Sequence, residues 1–303
     1  MNCLALDVGG TSVKYGIVNE NFNILHNGNF PTPSNEPLFL DNINNVVKEA
    51  QFEIEAISVA MPGFVNSQNS EYLYGTNIPF SIDFKKLQNF NKNKFFLDND
   101  GNVAAYYEYS TYFSSKYRNL IMLTFGTGIG GGIISDGKLL RGQGSAGELG
   151  HILTSTQKDI KCNCGKKGCL EASTSASKWT EVCNSLSLIN PNSELSKAFK
   201  NFKFGSVLFD KKINMLENEK FAQMQIIENI SNGLVSLFEI FNNEIFVIGG
   251  SMASQPFDFI SLIEDDLEKR FTFPSRNFPK LTISTQKGNS GILGAASLYF
   301  NEK

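Results

Sequence analysis

One short segment of this chain carries His151, then ten residues, then Cys162-x-Cys164, then four residues and Cys169. It holds three of the five cysteines and one of only two histidines. Imidazole nitrogen and thiolate sulfur make a soft donor set, and three cysteines with one histidine form a common tetrahedral zinc shell. A Cys-x-Cys pair is too short to close a disulfide on itself without strain. Gly165 and Gly168 allow the chain to wrap tightly about such a centre. Four protein donors close the shell, so the metal expected here is structural zinc. The alternative is a set of reduced cysteines with no metal. Glu148 and Glu171 stand at the edges of the loop, where a metal would orient them without joining their chemistry.

Two glycine-rich turns form a second group. Asp7-Val8-Gly9-Gly10-Thr11 and the run from Gly126 through Thr127, Gly128, Gly130 and Gly131 to Gly132 are offset by 117 positions (Gly9 to Gly126, 126 − 9). Glycine lets backbone N–H groups approach an anion closely, and threonine adds a hydroxyl donor. Neither turn is a P-loop, because Gly-Lys-Ser/Thr is missing, and neither opens a helix as a dinucleotide fingerprint does. Each alone reads equally well as a tight hairpin. Two of them, one per half, fit one polyphosphate gripped between two domains.

The third group is acidic. At Leu97-Asp98-Asn99-Asp100 a strand ends and a helix begins. One N-cap needs one such side chain, yet three polar groups crowd a strand end, the place where α/β proteins put ligands. A carboxylate there can accept a proton from a substrate hydroxyl. Glu148 and His151 lie three apart among glycines, so on a helical turn both face one way.

The elements that must position these groups follow from hydrophobic periodicity. Strands are expected at 4–8, 13–18 and 23–30, the last with an Asn-Gly turn inside or beside it. A helix is expected over 39–52, strands over 55–61 and 94–97, and a helix over 102–113. The opening theme then returns as strands at 120–125 and 130–135. Such a repeat suggests two domains on one plan. Helices near 217–241, a strand at 244–248 and a closing strand, turn and small-residue helix complete an α/β pattern with mixed sheets. The stretch 184–215 is polar and weakly periodic.

Composition bounds the function. The chain has 303 residues, enough for two domains, and a net charge of −3. That balance gives no electrostatic reason to expect nucleic acid or an anionic membrane as partner. No apolar run approaches the ~18 residues of a bilayer span. The opening MNCLALDVGG lacks a basic region and reaches an acid at residue 7, so no signal peptide is expected and the cytoplasm is the expected compartment.

Taken together, these residues resemble the ROK family (repressors, open reading frames, sugar kinases). DVGGT (7–11) looks like that family's first phosphate motif, and MPGFVN (61–66) like its Pro-Gly sugar loop. LDNDGNVAA resembles its catalytic segment and LTFGTGIGGGI its second phosphate motif. GELGH with CNCGKKGCLE resembles its zinc signature, VIGGSMA (247–253) its adenosine loop, and the likeness runs on to the closing GILGAAS. The family departs from this sequence at Gly101, where Ala is usual, and at Ser251, where a third Gly is common.

The resemblance implies an α/β fold of two actin-like ATPase (ribonuclease H-like) domains with a cleft between them. It implies domains at 1–116 and 117–303, the second with the zinc loop, and a C-terminal helix near 290–303 packing back on the first. It implies an ATP-dependent kinase that phosphorylates the primary (C6) hydroxyl of a hexose: glucose first, with N-acetylmannosamine or N-acetylglucosamine as the alternative, and polyphosphate still open as donor. By the same resemblance Asp100 is the general base. Gly63, Asn77, Asn99, Glu148, His151 and Glu171 surround the sugar. Asp7 holds Mg²⁺ through water; Gly9, Gly10, Thr11, Thr127, Gly128, Gly130 and Gly131 meet phosphates, and Gly250 lies in the adenosine loop. His151, Cys162, Cys164 and Cys169 hold structural Zn²⁺. A homodimer or homotetramer is implied too. The competing class is the family's sugar-responsive regulator, which carries a helix-turn-helix domain before the first motif; here DVGGT begins at residue 7, so the kinase is expected.

Overall fold

The computed structural model describes residues 1–75, 77–88, 90–155, 160–253, 255, 259–270, 277–285 and 290–301. The chain divides into two compact units. One holds Met1–Arg118, Gly132–Gly147 and Thr285–Lys303, and the other holds Asn119–Gly131 and Glu148–Ser284.

In the first unit, β1 (Asn2–Val8), β2 (Ser12–Asn19) and β3 (Ile24–Pro31) are followed by α1 (Glu36–Glu49) and β4 (Ala56–Met61). Three short strands come next, β5 (Phe64–Asn66), β6 (Glu71–Tyr74) and β7 (Ile82–Asp83), then β8 (Lys94–Asn99) and α2 (Asp100–Glu108). The main sheet has the order β3-β2-β1-β4-β8. β1 is antiparallel to β2 and parallel to β4, and β4 is parallel to β8. β4 is buried along its whole length. Strands covered on both faces read as unbroken apolar runs. One cover is α1, which buries Phe39, Leu40 and Ile43 and is capped by the Asn35 side chain, accepting from Leu38 N–H at 3.1 Å. The helix at Ser290–Phe300 packs on β1, β4 and α2.

In the second unit the described elements are β9 (Leu120–Phe125), β10 (Ile129–Ser135, whose last residues group with the first unit), β11 (Lys138–Leu139, likewise), α3 (Leu170–Thr174), α4 (Ala176–Ile189), α5 (Glu194–Phe202), α6 (Glu217–Phe241), β12 (Ile245–Gly249), α7 (Phe259–Arg270) and β13 (Lys280–Ile283). The C-terminal helix is α8 (Ser290–Phe300). The second sheet has the order β11-β10-β9-β12-β13, with β12 parallel to both β9 and β13. It repeats the strand plan of the first sheet, as the doubled glycine turn suggests.

Local details differ from the sequence reading for identifiable reasons. Asn27-Gly28 is not a turn. It lies within β3, where Gly28 pairs with Tyr15 and the Tyr15 ring occupies the place of a Cβ. The reversal falls at Asn19–Asn23 instead: the Asn19 side chain accepts from Asn21 and Asn23 N–H, and Phe22 takes φ 57°. The helix read over 102–113 begins at Asp100 and passes into a π turn at Tyr109–Phe113. The weakly periodic 184–215 contains the end of α4, all of α5 and a 3-10 turn, Gly205–Phe209. These close on the fully buried Trp179, with the Phe209 ring edge-on at 4.5 Å. Among the described residues no helix is long and apolar enough to cross a membrane.

Candidate functional site

The first unit brings its candidate residues to the carboxyl ends of three parallel strands. Asp7 pairs with Ala60, Ala60 with Asp98, and Met61 with Asn99, so β1, β4 and β8 deliver these residues in register. Asp98 is fully buried. Its Oδ1 accepts from Asn99 N–H at 2.8 Å and Asn102 Nδ2 at 2.9 Å, and its Oδ2 meets Arg141 Nε at 2.5 Å. Asn99 is the N-cap of α2. Its Oδ1 accepts from Gly101 N–H at 2.8 Å, and its Nδ2 donates to Gly63 O at 2.9 Å. The acidic triplet is therefore divided: Asp98 braces, Asn99 caps, and Asp100 is the first residue of α2.

The Asp100 side chain reaches solvent, yet protein crowds the carboxyl closely. That crowding, with help from the negative charge of Asp7, pushes its acid up to about 6, while the Gly101 N–H at 2.9 Å pulls the other way. Burial likewise raises Asp7 above the ordinary carboxylate value, opposed by Lys14. Perturbed carboxyls of this kind gather at functional sites more often than elsewhere.

The turn after β1 is built for close approach. Gly9 N–H donates to Ser12 O at 3.0 Å, and the Thr32 hydroxyl holds Gly9 O at 2.6 Å. Thr11 is exposed, and Gly10 lies against Asn77, 3.1 Å from where its own Cβ would sit. Gly63 has φ +114°, and a Cβ there would come 2.6 Å from Tyr74 O. The buried Tyr72 hydroxyl secures this loop by donating to Ile78 O at 3.0 Å and Pro62 O at 3.2 Å. A Cβ on Gly291, in the first turn of α8, would overlap the Asp7 carboxylate. Tyr72, Arg141 and Gly291 were not visible as site residues in the sequence; only the closing GILGAAS run hinted at the last.

The second unit gathers the other set. The turn after β9 is closed by Gly126 N–H to Gly128 O at 2.9 Å and tied to α4 through Ala176 N–H to Gly126 O and Ser177 Oγ to Thr127 O, both 2.9 Å. Glu171 does more here than the sequence suggested. Its Oε2 accepts from Ile129 N–H at 2.9 Å and fills the space that a Cβ on Gly128 would need. Gly130 lies in β10 beside Gly131, and Gly131 is explained by packing, since its Cβ would come 2.7 Å from Leu149. Gly250 takes φ +86° against the backbone of Phe125. Glu148 precedes a 3-10 turn, Leu149–His151, and its carbonyl accepts from His151 N–H at 3.1 Å.

His151, Cys162, Cys164 and Cys169 place their donor atoms within 4.8 Å of one another. Cys162 Sγ stands 3.7 Å from His151 Nδ1, and Cys164 Sγ 3.6 Å from Cys169 Sγ. A tetrahedron of zinc–sulfur bonds of about 2.3 Å has edges of about 3.8 Å. The cluster therefore fits zinc, with Nδ1 as the imidazole donor and Nε2 left for another partner. The loop is shaped for it by Cys162 N–H to Lys166 O (2.9 Å), Gly165 N–H to Cys162 O (3.0 Å) and positive φ at Gly165 and Gly168. Leu170 N–H to Ile152 O at 2.9 Å ties the histidine side to the cysteine side.

Known proteins place the chain. It is 28% identical to a glucokinase of Streptomyces coelicolor, over 97% of this chain and 96% of that one. It is 27% identical to an N-acetylmannosamine kinase of Haemophilus influenzae, over 98% and 94%. A ROK hexokinase from Thermus thermophilus superposes with a TM-score of 0.78 at 25% identity, covering 100% of this chain and 99% of that one. The fold is thus the two-domain actin-like ATPase fold. The model of the ROK family matches residues 3–302, and the chain belongs to that family.

Proposed function

We propose that this protein is an ATP-dependent sugar kinase that transfers the γ-phosphoryl group to the primary hydroxyl of a hexose, with glucose as the first sugar to test. One observation carries the reading: Asp100 opens α2 at the end of β8, open to water, with its acid pushed up to about 6. Such a carboxylate is ionised at neutral pH and still basic enough to accept a proton from a hydroxyl. The likeness to kinases that act on glucose and N-acetylmannosamine supports the same class.

Phosphoryl transfer asks the protein mainly for positioning and charge. ATP with Mg²⁺ supplies the phosphoryl group, and Asp7 is the carboxylate assigned to that cation through water. The backbone N–H groups of Gly10 and Thr11 and of Thr127 and Gly128 face phosphate in this reading, while the Gly9 N–H closes its own turn on Ser12 O. Gly63, Asn77 and Asn99 border the sugar near Asp100, while Glu148, His151 Nε2 and Glu171 take sugar hydroxyls. His151, Cys162, Cys164 and Cys169 would hold zinc, which supplies only a fixed anchor for that loop.

N-acetylmannosamine is the second reading, because a relative named for it matches nearly as closely as the glucokinases do. Coupled ADP release across glucose, N-acetylmannosamine, N-acetylglucosamine and fructose tests both. Turnover on glucose supports the first, and turnover on an acetamido sugar alone supports the second. Sugar binding without ADP release from any of them would favour the family's non-catalytic, sugar-sensing role instead.

A further inference from the structure

Arg141 belongs to none of the motifs that suggested a function, yet it makes contacts at both ends. Its guanidinium Nε lies 2.5 Å from Oδ2 of the fully buried Asp98. Its carbonyl accepts from Gly144 N–H at 2.8 Å and from Ala146 N–H at 3.1 Å, forming the turn that leads on to Glu148. That turn is bent by positive φ at Gly142, Gly144 and Gly147, and a Cβ on Gly144 would come 2.6 Å from Val65 O, at β5.

Asp98 is equally divided. One oxygen receives Asn99 N–H and Asn102 Nδ2, which are parts of the α2 start; the other receives Arg141. The orientation of the peptide after Asp98 therefore depends on a carboxylate held from behind by Arg141. Asp100 is two residues further along the same backbone. A buried carboxylate that loses its cation must protonate, turn or admit water, and each outcome disturbs the two hydrogen bonds on Oδ1.

We propose that Arg141 is a positioning residue for Asp100, acting through Asp98 and not by touching substrate. The role rests on the kinase reading above. Displacing a reacting group by about 1 Å costs on the order of 10²-fold in rate, so Arg141→Met should lower kcat by about 10²-fold. The sugar KM should change less than about threefold, because the substitution leaves the Arg141 carbonyl and its turn in place. A residue that only stabilises the fold would lower the melting temperature without this split.

The test is a double-mutant cycle on the full chain, with kcat and sugar KM measured for wild type, Arg141→Met, Asp98→Asn and the pair. Groups acting as one unit are non-additive, so the pair should match the worse single variant within about threefold. Arg141→Lys keeps the positive charge but not the fixed geometry of the guanidinium, so it should recover about tenfold of the loss and stay about tenfold below wild type. It also serves if Arg141→Met fails to fold, since an Arg141→Lys enzyme with an unchanged kcat overturns the proposal. Losses that multiply in the pair, or Arg141→Met turnover within threefold of wild type, overturn it as well. A wild type inactive on every sugar and donor overturns the kinase reading and this role together, whereas an active wild type with an indifferent Arg141 overturns only the role.

Discussion

If Asp100 is the base, the acid limb of the pH–rate profile belongs to it. Protein crowding and the charge of Asp7 put that acid at about 6, against about 3.9 for an ordinary aspartate. Only the ionised form can take a proton, so kcat/KM should track the ionised fraction: about 90% at pH 7, about half at pH 6 and about 10% at pH 5. The parameter kcat/KM reports the free enzyme, which is the state described here. A coupled assay from pH 5 to 8 at constant ionic strength should show a plateau above pH 7 and about a fivefold fall between pH 6 and pH 5. Asp100→Asn keeps the size and the Gly101 contact but cannot accept a proton, so turnover should fall at least ~10²-fold at every pH with sugar binding unchanged. The same shift has a stability signature. Because the folded acid lies above its unfolded value, ionisation opposes folding as pH rises from about 4 to 6, and the cost is constant above that. The asparagine variant escapes it, so it should melt higher than wild type at pH 8 and equal to it near pH 3.5. Turnover within tenfold of wild type, or a flat profile through pH 6, would refute the assignment.

Three other outcomes are expected. Elemental analysis should find about one zinc per chain, and Cys164→Ser should lower both zinc content and melting temperature; full stability in metal-free protein would contradict this. Gly291→Ala would set a methyl group into the Asp7 carboxylate; the KM for Mg-ATP should rise about tenfold with calorimetric sugar affinity unchanged, and an unaltered KM would show that Asp7 has room to move. Glucose or its 2-acetamido relative should be far better substrates than 2-deoxyglucose and 1,5-anhydroglucitol, since polar groups left unpaired discriminate strongly; specificity constants within about threefold of one another would remove Glu148 and Glu171 from the sugar.

Much of this was legible in the sequence because it depends on residue type at fixed spacing. The four soft donors, the two glycine turns and the acid after β8 each carry their chemistry locally. The apolar strands were legible too, since sheets covered on both faces leave unbroken runs. What escaped depended on distant partners. Asn27-Gly28 has the composition of a turn, and only Tyr15 across the ladder makes it a strand. Arg141 stands in none of the motifs, and its partner Asp98 lies 43 residues away. Gly291 stands only within the closing GILGAAS run, and Glu171 reads as a sugar ligand alone, because nothing in the order of residues shows the Asp7 carboxylate or the Gly128 turn beside them. The elements within 184–215 were faint because they close on Trp179, whose ring neighbours Phe125, Phe209 and Phe259 come from three separate segments.

Cys169 is at once a donor of the soft cluster and the N-cap position of α3, and Glu171 lies two residues further on with one oxygen on the backbone of the Gly128 turn. On the sugar assignment proposed above, a redesign of sugar preference would turn first to Glu171. That choice is entangled: a shorter residue at 171 also releases Ile129 N–H and opens the space over Gly128. Selectivity variants at this position should therefore show altered nucleotide dependence even when the new sugar fits, and a library that varies Glu148 with residue 171 left intact should separate the two traits more cleanly.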